Sequence, residues 1–458
     1  MAGPSTPVTS RIPRSLLVLR HRDFALVQLG NGVSQIGTWG QYIALGWSIR
    51  ELSSSPFAVS LSLVAQFLPF LLLAPFGGAL ADRMNRRTLV VAGNLAAVPP
   101  AIALGVLTAT GEATIPLILA LALVSGIATA MTAPAMSAVV GEIVPTDELP
   151  EAIASVTVIA NLTRIAGPSL GALVISTWGL QWAFYLNGLS FFAVVLSWAF
   201  VRTKLRSHTT HEPFFTQFRL GVRFARDHAQ IGFLLTLILV MTLMVFHVAL
   251  MPVIATDLLH AGASGYALLI TATGVGAIGG ALTAGEFVTD RRRRIAIGGS
   301  LAVIACMFVV IATSHSLALT CVALVGYGFA FFSASTVIQG LLIALSPDAF
   351  RGRVMGLYTM IAAGTVPATA LLGGALASWF SPEVAILISA VVMLGLLTWV
   401  LAAHKLRLVR FDLAAQDADD PSMGAPYVID PRVDNPAMAS EAPGGTVLPP
   451  GRTDRSGS

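Results

Sequence analysis

The chain has 458 residues, 55% hydrophobic and only 11% charged, with a formal net charge of +4 and a mean hydropathy of +0.79. A soluble domain carries about a quarter charged residues, so charges this sparse cannot cover a water-facing surface and lipid must solvate much of the protein. Both cysteines, Cys306 and Cys321, fall inside apolar runs, which sets aside disulfide frameworks and zinc or heme sites, and no cofactor or metal is expected.

Residues 1–22 are polar and basic and lack the pattern of a cleavable leader, so they read as a cytoplasmic N-terminal segment. A membrane-crossing helix needs about 20 mostly apolar residues. Twelve such segments follow, near 24–49, 56–81, 88–109, 114–140, 150–177, 181–201, 231–257, 263–288, 295–313, 316–344, 352–379 and 383–404. Their grouping gives a first six-helix bundle over 23–202, a central loop over 203–229 and a second bundle over 230–407. In the loop, Phe214, Phe218 and Val222 alternate with Arg219, Arg223 and Arg226, which suggests a basic amphipathic helix on the membrane surface or an ordinary linker helix. Residues 408–458, rich in Pro, Asp, Gly and Ser, read as a disordered tail.

Basic residues orient the spans. Arg11, Arg14, Arg20 and Arg22 precede the first, Arg83, Arg86 and Arg87 follow the second, and a run from Arg202 to Arg226 lies between the sixth and seventh. Arg291 to Arg294 follow the eighth, Arg351 and Arg353 precede the eleventh, and Lys405, Arg407 and Arg410 follow the twelfth. With twelve spans all of these fall on one side, and only Arg50 stands on the other. The positive-inside rule then places both termini in the cytoplasm of a multi-pass cell-membrane protein.

The sequence also repeats. "GGAL" begins at Gly77 and again at Gly279, while "GAL" begins at Gly171 and "GGAL" at Gly373. Both matches join segments six apart, at an offset of about two hundred residues, which implies two similar six-helix units. Small residues let helix backbones approach closely in lipid, so the second, fifth, eighth and eleventh segments should be the tightly packed ones.

The stretch "GGALADRMNRR" (77–87) reads G-x-x-x-D-R-x-x-R-R from Gly78 through Asp82, Arg83, Arg86 and Arg87. It resembles the loop signature of the major facilitator superfamily. "HRDFALVQLGNGVSQIGTWGQYIALGW" (21–47), "NLTRIAGPSLGALV" (161–174), "AFYLNGLSF" (183–191) and "RGRVMGLYTM" (351–360) resemble its transmembrane secretion effector branch, and the likeness covers roughly 15–405. The resemblance implies an all-α membrane protein of twelve transmembrane helices in two pseudo-symmetric six-helix bundles. It also implies a cytoplasmic latch, with Asp82 at the positive end of the eleventh helix near Arg351 and Arg353. In the mirrored set, Asp290 and Arg291 to Arg294 would meet Asp147, Glu148 and Glu151. The alternative for these arginines is a role as topology signals and phospholipid anchors. The second-half loop lacks the D-R-x-x-R-R form, and the fourth helix lacks the arginine of many drug–proton antiporters.

Polar residues inside the spans mark the candidate site. Arg164 lies about 20 Å into the fifth segment at 1.5 Å per residue, and a charge at that depth is a functional hypothesis by default; pairing with a carbonyl or with Asn161 is the structural alternative. It precedes Gly167, Pro168 and Gly171, and the proline should loosen the helix. The first segment aligns Asn31, Gln35, Trp39 and Tyr42 on one face. The fourth aligns Ser125, Thr129, Thr132 and Met136, the seventh Met244, His247 and Met251, and the tenth Tyr327, Phe331, Ser335 and Gln339. The resemblance places these four segments around a central cavity; helix packing is the other reading of each stripe. Near mid-span no carboxylate is evident, and His247 is either a titrating group or a core histidine. "GVGAIG" (274–279) matches a dinucleotide fingerprint but lies within an apolar helix with no preceding strand, so packing accounts for it.

No nucleophile triad, phosphate loop or nucleic-acid motif is present, so an enzyme is not expected. The resemblance implies a monomeric secondary active exporter of small organic molecules (a siderophore, antibiotic or other secondary metabolite) working by alternating access. Proton antiport is implied by the resemblance alone. The alternatives are an uptake carrier or facilitator of the same fold, and a non-transporting membrane scaffold or sensor.

Overall fold

A computed structural model describes residues 17–145, 148–203, 214–283 and 290–405, and among them every regular element is helical. The first half comprises α1 (Arg22–Leu52), α2 (Pro56–Arg83), α3 (Arg86–Thr110), α4 (Ile115–Ile143), α5 (Leu149–Trp178) and α6 (Leu180–Phe200). Then come α7 (Phe214–Asp227), α8 (Ala229–Leu243), α9 (Phe246–Val253) with a wide turn over Ile254–Leu258, and α10 (Gly262–Thr283). The last four are α11 (Asp290–Thr313), α12 (Leu317–Leu345), α13 (Asp348–Trp379) and α14 (Pro382–Lys405).

Local signals set many of these ends. The Ser55 hydroxyl accepts from the Ala58 N–H (3.3 Å) just before Pro56 opens α2, and Asn85 caps α3 by accepting from the Arg87 N–H at 2.9 Å. Gly111, at a φ of 75°, supplies the left-handed residue that ends α3.

Eleven spans among the described residues are long and apolar enough to cross a membrane. The remaining expected crossing is α1, which has the length, 31 residues. Its hydropathy falls short because Gln28, Asn31, Ser34, Gln35, Thr38 and Gln41 interrupt it. Part of that polarity is spent inside the first half. Asn187 of α6 donates to Gln41 (2.8 Å) and Thr163 of α5 to Gln35 (2.9 Å), so hydrogen bonds add to packing where α1 meets α5 and α6.

The seventh segment, expected as one helix over 231–257, is broken at Met244 and Val245. The Thr242 carbonyl, which would accept from Phe246 in an unbroken helix, instead accepts from the Val245 N–H at 3.4 Å and from the Thr369 hydroxyl of α13 at 3.1 Å. Such breaks persist in lipid only where neighbouring groups satisfy the freed backbone. Pro252, which has no N–H to give, precedes the wide turn. The central-loop helix packs part of one side on the second half. In α7, Phe224 and Ala225 are buried, Phe224 stacks on Phe350 of α13 at 4.3 Å, and Arg219, Arg223 and Arg226 are exposed.

Packing repeats as the sequence does. A β-carbon on Gly77 of α2 would lie 2.8 Å from the Ala130 carbonyl of α4, and one on Gly280 of α10 would lie 2.1 Å from the Phe329 carbonyl of α12. Gly126 of α4 presses on the Gln66 backbone of α2 in the same way that Gly328 of α12 presses on the Thr273 backbone of α10. Gly171 of α5 meets Gly40 of α1 and Gly373 of α13 meets Phe246 of α9, whereas Gly374, the sequence match of Gly171, packs on Ser60 of α2. Apart from that last contact, these are equivalent helix pairs in two six-span units, brought close by missing side chains.

One consequence is measurable. Gly280→Val forces a side chain against backbone and should lower the melting temperature in detergent by several degrees, consistent with the about 1–3 kcal/mol of overpacking. Gly299→Val is the control, because a β-carbon there meets nothing within 4 Å. Equal melting of the two variants would refute the close-packing account.

Candidate functional site

Contacts define two faces. On the first, which carries most of the arginines, Arg20 and His21 both reach Glu148, with His21 Nε2 at 2.9 Å. The His21 hydrogen bond and the Arg20 guanidinium hold the Glu148 carboxyl below its ordinary pKa. Asp23 accepts from the Arg202 N–H (2.9 Å) and from the Thr203 N–H and hydroxyl, and buried Arg86 pairs with Glu142. These contacts tie the starts of α1, α3 and α5 to the ends of α4 and α6. All lie within the first half.

At the opposite face, polar and aromatic contacts join the halves. Arg50, at the end of α1, pairs with Asp257 and donates to Thr256 at 2.7 Å. One turn earlier, Trp47 stacks on Tyr266 of α10 at 5.3 Å, and the Tyr266 hydroxyl donates to the Ile43 carbonyl at 3.3 Å. The Phe57 N–H donates to Ser378 at 3.1 Å, and Gly374 of α13 packs against Ser60 of α2.

Between these faces lie two adjoining cavities that share Trp39, Tyr42 and Arg164. The larger, about 400 Å³, extends along α1 from Tyr42 back to Gln28 and sets amides and hydroxyls, including Asn31, Gln35, Gln66 and Thr129, among apolar side chains such as Phe67, Phe70 and Met136. Its other walls include Val140 near the end of α4 and Val156 near the start of α5, so it runs from mid-depth towards the arginine-rich face. The smaller, about 260 Å³, reaches from Trp39 to Gly46 and is walled by Val245, Val248, Tyr327, Phe331 and Phe332. It stops beneath the contacts made by Trp47 and Arg50.

Arg164 is exposed although it lies midway along a spanning helix, and the exposure is to these cavities. Its guanidinium sits 5.8 Å from the Trp39 ring, a cation–π arrangement. Gly167 makes this possible, since a β-carbon there would lie 2.5 Å from Trp39. Close approach of α5 to α1 therefore seats the arginine over the ring.

The other expected residues divide. Asn31, Gln35, Trp39, Tyr42, Thr129, Met136 and Pro168 line one or both cavities, as do Tyr327 and Phe331. His247 does not; it is buried with its ring 4.3 Å from that of Tyr327 and 5.2 Å from that of Phe308, and neither ring nitrogen has a hydrogen-bond partner. The cavity side of the broken segment belongs to Val245, Val248, Ala249 and Pro252, which turns His247 into the core of the second half. Met244, Gln339 and Asn161 are half-buried outside both cavities, and Ser125 is fully buried.

Of the latch set, Arg86 and Glu148 are engaged as above, and Arg87 donates to the Val201 carbonyl at 3.4 Å. Arg351 donates to Ile343 at 3.4 Å and Arg353 lies 5.0 Å over the Phe350 ring. Residue Asp147 and the side chains of Gly78, Asp82, Arg83, Asp290 and Arg291 lie outside what the structure describes. Arg50, Asp257, Trp47 and Tyr266 were missed as a group; the signal was Arg50, the lone cation on its side.

The sequence matches the transmembrane secretion effector family over residues 14–435. The chain belongs to that family. It is a major facilitator transporter and not an enzyme. Among its relatives, the uncharacterized MFS-type transporter YfiS of Bacillus subtilis is 28% identical, over 36% of this chain and 39% of that one. Macrolide efflux protein A of Streptococcus pyogenes is 23% identical over 75% of this chain and 86% of its own. The enterobactin exporter EntS of Citrobacter koseri is 25% identical over 84% and 93%. In fold the transporter resembles nucleoside transporter NupG (TM-score 0.65, 12% identity, 83% of this chain and 99% of that one). It also resembles a bacterial Spinster homologue solved in an inward-facing, occupied conformation (TM-score 0.62, 14% identity, 88% and 98%).

In this secretion effector the Arg50–Asp257 pair tests how the far face closes. Partly exposed pairs are worth up to about 1 kcal/mol, so Arg50→Ala should raise the population open at that face by at most about fivefold. Spin labels at Leu52 and Ser264, one in each half, would report it as a new long-distance component. An unchanged distance distribution would assign closure to the Trp47–Tyr266 and α2–α13 packing alone.

Proposed function

We propose that the chain is a secondary active exporter of small organic molecules that works by alternating access, with the arginine-rich face and both termini in the cytoplasm. The observation that carries this reading is a water-accessible cavity between the two halves, sealed at one face and running towards the other. With the arginine-rich face inside, that is an inward-facing state, ready to load from the cytoplasm, as in the Spinster homologue. The efflux names of the relatives favour the outward direction.

In this reading residues 23–202 and 230–407 rock about the cavity, with 203–229 joining them. Movement to the outward state breaks the Arg50–Asp257 contact and closes the arginine-rich face. Asp82 then meets the positive end of α13, and the basic run after α10 meets the acidic start of α5. Protons are the coupling ion, and one chain is sufficient for transport.

Inside-out vesicles from cells making the chain test direction and coupling together. With a proton gradient they should accumulate at least one of erythromycin, enterobactin and dansylglycine, and a protonophore should abolish the accumulation. Asp82→Asn should slow it markedly while leaving the amount of protein in the membrane unchanged. Vesicles that accumulate none of the three, or that accumulate without a gradient, would refute proton-coupled export.

A further inference from the structure

Among the described residues lining the two cavities, Arg164 is the one that carries a full charge, and none is an aspartate or glutamate. Its described neighbours are uncharged. One is the Trp39 ring, and another is Tyr358 of α13, which lies close enough to interact electrostatically and shares a 2.9 Å hydrogen bond with Ser335 of α12. A guanidinium stays protonated in proteins, so the cavity holds a permanent cation at mid-membrane depth, with no counter-ion among the described lining residues. Low-dielectric walls strengthen its field.

The surroundings are graded. On the larger cavity's side stand Asn31, Gln35, Thr38 and Gln66. Thr163 occupies the Gln35 carbonyl, which leaves the Gln35 amide nitrogen as a donor. On the other side the walls are aromatic and aliphatic. There Tyr327 and Phe331 stack at 5.7 Å, while Phe67 of the larger cavity stands 4.9 Å from the shared Tyr42 ring, edge to face. Arg164, Trp39 and Tyr42 stand at the junction.

From this arrangement we infer that the cavity selects organic anions with an aromatic or apolar body. The carboxylate, phenolate or sulfonate docks on Arg164 among the amide donors, and the body lies along Trp39 and Tyr42 into the apolar cavity. A cationic molecule of the same shape is rejected, because it meets Arg164 and finds no carboxylate to pair with. Arg164 belongs to α5, whereas Tyr327 and Phe331 belong to α12. A bound anion therefore touches both halves at once. The inference rests on the transport reading for its meaning, but its test does not depend on the direction of transport.

The test uses the full-length protein in nanodiscs and three dansyl probes of matched size: dansylglycine (anion), dansylglycinamide (neutral) and dansyl-ethylenediamine (cation). Energy transfer from tryptophan reports binding. Dansylglycine should bind at least about tenfold more tightly than the amine, the scale of one charge-assisted contact. Arg164→Gln should bring the three affinities together, and Arg164→Lys should keep the order. Wild-type protein that binds the amine as well as the acid, or that binds no acid, overturns the inference. So does a preference that survives in Arg164→Gln. If Arg164→Gln does not fold, the wild-type series and Arg164→Lys decide. Selective anion binding without gradient-driven accumulation in vesicles would sink the export reading alone, and accumulation of the amine would sink only this one.

Discussion

Lipid gives helices no reason to hide apolar surface from one another, and that constraint governs the whole structure. Cohesion has to come from close backbone approach and from hydrogen bonds. The chain meets it with glycines. Gly77 and Gly126 join α2 to α4, Gly280 and Gly328 join α10 to α12, and Gly40, Gly167 and Gly171 join α1 to α5. The halves meet along two packed seams, α2 against α13 and α5 against α10, and at the far face these are joined by an ion pair, an aromatic stack and hydrogen bonds. The α2–α13 seam is tight at Ser60 and Gly374. Its neighbour at mid-depth, Gly364, meets the end of a Leu71 side chain, which can yield more easily than backbone.

Much of this was legible before any coordinates. Hydropathy counts spans because a bilayer demands a long apolar run, and the glycine repeats were visible because packing in lipid demands small residues at fixed places. The parts that were not legible are those where a local rule is overridden by a distant residue. Nothing near Met244 announces a helix break, since one of the groups that satisfy the freed Thr242 carbonyl is Thr369, from another helix. In α7 the local pattern could not name the partner of Phe224, which is Phe350 of α13.

The site divides in the same way. Period alone placed Asn31, Gln35, Trp39 and Tyr42 of α1 on the cavity together, but on unbroken α4 and α12 it also picked Ser125 and Gln339, which lie outside both cavities. It could not place His247, because the break one residue before α9 resets the helical phase and turns the ring onto Tyr327. Likewise, Arg50 could be recognised as an isolated cation but not as half of a pair, since Asp257 comes to it through the wide turn after Pro252.

The motif around Arg164 gains a physical meaning from these contacts. Its glycines are packing residues, pressing α5 onto α1 at Ile36, Trp39 and Gly40. The arginine lies almost one turn before Gly167, so the same seam that holds the first half together brings the guanidinium over Trp39. A larger residue at Gly167 would push α5 away and displace the charge from the ring and from the junction of the two cavities. Cohesion and charge placement are therefore one constraint here. A bulky substitution at Gly167 should impair ligand selectivity and stability together, whereas Arg164→Gln should remove selectivity and leave the α1–α5 seam intact.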